Sequence, residues 1–144
     1  MEMITPTAVV LHCSATPDYS PKDELFDYFG ADEIDKWHKQ RGFDKIGYHL
    51  VIRRSGAYEY GRALIPPKVE KGAHCKEANR FAIGICYIGT KIPTTAQIKT
   101  LKKLYNLILA RYNIKIDQWY GHRNFSKTQC PGFDISVIKD LISL

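Results

Sequence analysis

Phe81-Ala82-Ile83-Gly84-Ile85-Cys86-Tyr87-Ile88 is the most apolar run in the chain. Eight residues suit one buried strand better than a helix, and isoleucine and tyrosine favour extended backbone. The run is therefore predicted to be a central strand, with Cys86 as a buried, inert thiol.

Working towards the N-terminus, the segment from Arg62 to Lys76 reads as a loop broken by Pro66-Pro67 and ending in Gly72-Ala73-His74-Cys75. Before it, Gly47 to Arg54 is predicted as a strand, turned by Ser55-Gly56 into a second strand from Ala57 to Gly61. Strict alternation would place Tyr48, Leu50 and Ile52 on one face and His49, Val51 and Arg53 on the other. A helix is expected from about Asp32 to Arg41, where Ile34, Trp37, His38 and Arg41 share a face and Gly42 ends it. Trp37 and His38 read as packing or surface residues there. Ser14 to Gly30 is loop-like, with Pro17 and Pro21 as breakers. Ala8 to Cys13 is a short valine-rich strand, and alternation sends His12 and Cys13 to opposite faces.

Towards the C-terminus, Thr94 and Gln97 form a capping box for a helix running to about Tyr112. Ile98, Leu101, Tyr105, Ile108 and Tyr112 follow helical spacing, Lys102, Lys103 and Arg111 take the wet side, and Asn113 suits a left-handed cap. Ile114 to Tyr120 is predicted as a strand delivering His122, and Asp134 as the cap of a final helix reaching Leu144. The order of elements predicts an α/β fold, a single domain over residues 1–144 with a central mixed β-sheet flanked by helices.

With 144 residues, 44% apolar and 25% charged, the composition is that of an ordinary globular domain. No apolar run approaches the ~20 residues of a membrane span, and Met1 to Pro6 lacks the basic head and apolar core of a signal peptide. Synthesis in the cytoplasm is the expectation. The net charge of +6 suits a polyanionic partner, such as nucleic acid or a bacterial wall. The basic residues are scattered and no helix carries a one-sided basic stripe, which argues against nucleic acid.

The chemistry concentrates in Tyr120-Gly121-His122-Arg123-Asn124-Phe125-Ser126-Lys127-Thr128-Gln129-Cys130-Pro131-Gly132. A histidine and a cysteine eight residues apart on a polar loop can both reach one zinc ion, and His12 is the best third ligand. Three protein ligands leave a position open, as hydrolysis of an amide requires. Spacing alone leaves two rivals standing: Cys130 as a thiolate nucleophile with His122 as its base, and a purely structural set.

Read together, the motifs narrow the choice. His12-Cys13-Ser14-Ala15-Thr16, Ile34-Asp35-Lys36-Trp37-His38-Lys39, Ile46 to Ile52 with Gly61-Arg62, Gly72-Ala73-His74, Asn79 with Ile83-Gly84-Ile85, and Gly121-His122-Arg123 with Cys130-Pro131-Gly132 occur in the family's order. The chain closely resembles the type-2 N-acetylmuramoyl-L-alanine amidases, the small phage amidase lysozymes above all, and the peptidoglycan recognition proteins. The resemblance implies one catalytic Zn2+ on His12, His122 and Cys130, and hydrolysis of the amide joining the lactyl group of N-acetylmuramic acid to L-alanine in peptidoglycan. It implies catalytic roles for Tyr48 and Thr128, and substrate contacts at His74 and Asn79; His49 is expected to be structural. Thr128 stands where the small phage enzymes carry lysine, so it offers a neutral hydroxyl in place of a charge; Lys127 is the adjacent cation. Asn124 replaces a common aspartate and is expected to orient the loop. The implied setting is an endolysin-like monomer acting on the cell wall, the alternative being a recognition module that binds peptidoglycan without cutting it.

Overall fold

The apolar run becomes β7 (Ala82–Tyr87) in the computed structural model, which describes all 144 residues, and every residue of the strand is buried. β2 (Ala8–Cys13) and β3 (Leu50–Ile52) pair parallel to it on either side. β8 (Trp119–Gly121) adds parallel to β2, and β4 (Tyr58–Tyr60) adds antiparallel to β3. The result is a mixed five-stranded sheet in the order β4-β3-β7-β2-β8.

Alternation along β2 and β7 sends Val9, Leu11, Ile83, Ile85 and Tyr87 to one face. There they meet Leu101, Leu104, Tyr105 and Ile108 of α2 (Thr95–Tyr112) and Ile138 and Ile142 of α3 (Ser136–Ser143) in the main core. Each such side chain contributes about 2 kcal/mol by leaving water, so this face carries most of the stability. The opposite face is divided. Val51, Cys86 and Ile88 pack with Ile34 of α1 (Ala31–Gln40), while Ala8, Val10 and Ala82 pack with Cys75 and Ala78. His12 follows Val10 on this face and pairs in register with Cys86, which sets it where the two small clusters meet.

The capping box at α2 forms as predicted. Gln97 N donates to Thr94 Oγ1 at 3.0 Å, Thr94 N donates to Gln97 Oε1 at 2.9 Å, and Asn113 closes the helix in the left-handed region at φ 56°. Trp37 and His38 pack as expected, whereas Arg41 lies outside α1 and is exposed.

Four expectations need correcting. The strand predicted from Gly47 begins only at Leu50, because the chain bends at Gly47 and His49. The bend breaks alternation, so Tyr48 joins Val51 against α1 while Leu50 and Ile52 enter the main core. The predicted loop 62–76 contains β5 (Leu64–Ile65) and β6 (Lys68–Glu70), which form a second small sheet with β1 (Met3–Ile4) in the order β1-β6-β5. Such short strands present no periodicity to read. Of Ile114 to Tyr120, only the end is strand, since Ile116–Gln118 coil into one 3-10 turn. Asp134 does accept from Ser136 N at 2.9 Å, but it stands one residue outside the helix cap, and the helix ends at Ser143.

Candidate metal centre and active site

β2, β7 and β8 run parallel, so their carboxyl ends open on the same side of the sheet. His12 lies near the end of β2, and His122 follows β8 directly. The loop after His122 folds back on itself: Arg123 N donates to Cys130 O at 2.8 Å, and Gly121 N donates to Asn124 Oδ1 at 2.8 Å. Asn124 thus orients the loop, and the closure returns Cys130 to the side of His122. The turn then packs against the end of β7, where Tyr87 Oη donates to Pro131 O at 2.7 Å. Gly132 has φ +94°, and a Cβ there would fall 1.9 Å from Thr90 O. Only glycine permits that approach.

These closures bring one ligand atom each of His12, His122 and Cys130 within 4.8 Å of one another. His12 Nδ1 lies 3.8 Å from Cys130 Sγ. Zinc–nitrogen and zinc–sulfur bond lengths place such atoms about 3.6 Å apart in a tetrahedron, so the residues fit a zinc ion with little movement. Both imidazoles suit ligation because they stay neutral: burial, then His74 and His122, holds His12 well below its ordinary pKa, and burial lowers His122 too.

Cys13 backbone N–H donates to Cys130 Sγ at 3.3 Å. The neighbouring Cys13 and Cys130 thiols influence each other first of all, in opposite directions: Cys13 is drawn down to about 7 and Cys130 is pushed up. The pair therefore favours a single thiolate. A cation held by the two histidines would favour the charge on Cys130, where the Cys13 amide already points. Alternation did separate the side chains of His12 and Cys13, yet Cys13 still touches the site through Cys130.

Tyr48 brings its ring to 5.0 Å from that of His12 and 5.4 Å from that of His38. Burial, then the nearby thiols, raises its pKa well above the ordinary value, so it remains a phenol able to donate. Thr128 Oγ1 accepts from Cys130 N at 3.2 Å, which leaves its hydroxyl proton free. It lines a cavity of about 340 Å³ together with Cys13, Cys130 and Lys91. Lys127 lines a separate opening with Arg123 and Ser126. Lys91 is the one cationic residue that lines the cavity shared with Cys130, and no motif in the sequence marked it. Ala15, on the same cavity wall, holds φ at 59°, a left-handed conformation that costs alanine about 1 kcal/mol.

His74 and Asn79, expected to contact substrate, are hydrogen-bonded beside the candidate centre. His74 Nδ1 is 2.9 Å from His12 Nε2, and its Nε2 is 3.2 Å from Ala82 O. Asn79 Oδ1 accepts from both His74 N and Cys75 N at 2.9 Å. His49 is fully buried, with Nδ1 accepting from Gly84 N at 2.9 Å and Nε2 facing Glu70 O at 2.5 Å. Its role is structural, as expected.

A sheet whose parallel strands and the loop beyond them bring two histidines and a cysteine together defines an α/β domain with a metal-competent centre. The N-acetylmuramoyl-L-alanine amidase family profile matches residues 2–133, and the chain belongs to that family. An endolysin of Enterobacteria phage T3 is 33% identical over 139 residues, 91% of this chain and 83% of the relative. Among solved structures, the N-acetylmuramoyl-L-alanine amidase LysC from Clostridium intestinale superposes with a TM-score of 0.77 at 29% identity, covering 98% of this chain and 87% of that one. The ectodomain complex of peptidoglycan recognition proteins LCa and LCx with bound tracheal cytotoxin gives a TM-score of 0.76 at 26% identity, over 94% of this chain and 82% of that one. The chain is an N-acetylmuramoyl-L-alanine amidase, an enzyme of cell-wall lysis.

Proposed function

We propose that this amidase depends on one zinc ion held by His12, His122 and Cys130, and that it cuts the lactyl–alanine amide of peptidoglycan in the groove between the two small clusters. The convergence of the three ligand atoms within 4.8 Å carries the reading. Zinc with an open position supplies Lewis-acid polarisation of a carbonyl and acidification of water.

The chain's own residues supply the rest. Tyr48, neutral and beside His12, donates a hydrogen bond to the carbonyl oxygen as it gains charge. Thr128 has its oxygen on Cys130 N and its proton free for the same oxygen or for the stem peptide. Both donors are uncharged, so they offer hydrogen bonds alone, and charge stabilisation would be left to a metal held by His12, His122 and Cys130. Peptidoglycan as substrate is supported by the family and by the bound tracheal cytotoxin of the LCa–LCx complex. The likeness to phage endolysins supports a lytic role at the bacterial wall.

The test is zinc content per chain, together with mass spectrometry of muropeptides released from purified walls, before and after chelation. One zinc per chain and free stem peptides that disappear on chelation are expected. Undiminished cleavage by metal-free protein would refute zinc dependence, and wall binding without new products would favour the recognition module.

A further inference from the structure

We propose that His74 is a positioning residue for the metal ligand His12: it accepts the Nε2 proton of His12 and so commits Nδ1 of that ring to the metal. The inference follows from counting protons along three contacts. Ala82 O can only accept, so the nitrogen that faces it, His74 Nε2 at 3.2 Å, must carry the hydrogen. A neutral imidazole has one such proton, which leaves His74 Nδ1 as a bare lone pair. His12 Nε2 lies 2.9 Å from that lone pair and must therefore be the donor. The remaining nitrogen of His12, Nδ1, is then unprotonated, and it is the one 3.8 Å from Cys130 Sγ. His12 is 1 % exposed, which disfavours a charged ring, and with both rings neutral the count has no second solution.

The protein holds His74 in place from three sides. Asn79 grips its backbone through the carboxamide oxygen. Gly84, in the middle of β7, presents no side chain, and a Cβ there would stand 2.5 Å from the His74 ring. His49 seals the far side at 5.8 Å between ring centroids, its own tautomer set by Gly84 N and Glu70 O. A glycine in the centre of a strand costs about 0.5–1 kcal/mol relative to alanine, and here the room it leaves is filled by an imidazole. His74 and Asn79 are thus engaged within the protein, an alternative to the substrate contact expected for them.

Ligating histidines commonly give their second N–H to a carboxylate or carbonyl, which fixes the ring and raises its basicity. The acceptor here is a neutral imidazole, so no extra negative charge reaches the centre. With Cys130 as the one anionic ligand, a divalent cation keeps a net charge of +1 and more of its electrophilic character. The last link rests on the proposed metal site, whereas the tautomer belongs to the metal-free protein and can be measured without it.

The experiment compares wild type with His74→Leu, which removes the acceptor, and His74→Asn, whose Oδ1 can replace Nδ1. Nitrogen-15 shifts of the histidine rings in zinc-free protein report the His12 tautomer, and competition with a chelating dye reports zinc affinity. Expected are a pure Nε2–H tautomer for His12 in wild type, a mixed population in His74→Leu with zinc affinity about 10- to 100-fold weaker, and substantial recovery of both in His74→Asn. Should His74→Leu fail to fold, the wild-type spectrum still decides. A His12 proton on Nδ1 in wild type, or unchanged zinc affinity in a folded His74→Leu, overturns the proposal. Wild type with the expected tautomer and bound zinc, yet inert towards muropeptides, sinks the hydrolase reading and supports this one.

Discussion

At the scale of single residues, Cys130 and Tyr48 carry different burdens. Cys130 is the only one of the three proposed ligands that would bring negative charge, and a serine hydroxyl in its place stays protonated at neutral pH. Cys130→Ser is expected to lose zinc on dialysis and to lose cleavage with it, while the fold persists because the loop closure runs through backbone atoms. Metal analysis beside circular dichroism checks this, and a variant that keeps stoichiometric zinc would remove Cys130 from the ligand set. Tyr48 is not among the proposed ligands. Tyr48→Phe is expected to retain zinc and to lower kcat by about 100-fold, the usual cost of one lost oxyanion donor. Turnover equal to wild type at saturating substrate would show that the hydroxyl does not reach the reacting oxygen.

At the scale of elements, the start of α2 locks the ends of two strands. Gln97 is fully buried, and beyond its capping role it donates to Ile52 O at 3.1 Å and Ile88 O at 2.9 Å. It also accepts from the buried guanidinium of Arg54 at 3.1 Å. Replacing it with leucine takes the acceptor from the Thr94 amide and one of two donors from each carbonyl, for Ile52 O keeps Ile88 N and Ile88 O keeps Arg54. Four buried hydrogen bonds at about 1 kcal/mol each, partly offset by the remaining partners, predict that Gln97→Leu destabilises by about 3 kcal/mol. Urea unfolding measures it, and a midpoint within error of wild type would show the network to be dispensable. The opposite lesson comes from β3, where a bend of three residues overrode the pattern: Gly47 N bonds to His38 Nδ1, so tertiary contacts set the facing of Tyr48.

At the scale of the whole molecule, the two sheets are joined through His49. Its ring takes the amide of Gly84 in β7 and gives its proton to the carbonyl of Glu70 in β6. Burial, the largest cause, lowers its pKa to about 4. The unfolded chain, with an ordinary value near 6.5, then binds more protons than the native state between those limits. The stability from His49 is full above about pH 6.5 and declines as pH falls to about 4, by up to ~1.4 kcal/mol per pH unit. His49→Asn should lower stability at pH 7 yet show a shallower decline between pH 6.5 and 4 in zinc-free protein. Denaturation midpoints across that range test it, and parallel slopes for wild type and variant would assign the acid sensitivity elsewhere.

Local chemistry in the chain was enough for the central strand, the capped helix α2 and the motif segments that give the family. Periodicity, caps and ligand types act over a few residues, and they survive in any context that folds. The facing of Tyr48, the small sheet β1-β6-β5, the place of Lys91 on the cavity of Cys130 and the pairing of His74 with His12 were invisible at that range. Each depends on segments tens of residues apart meeting across the sheet, as His12 and His74 do at a separation of 62. Side-chain direction and proton placement are properties of such meetings, and only the packed molecule determines them.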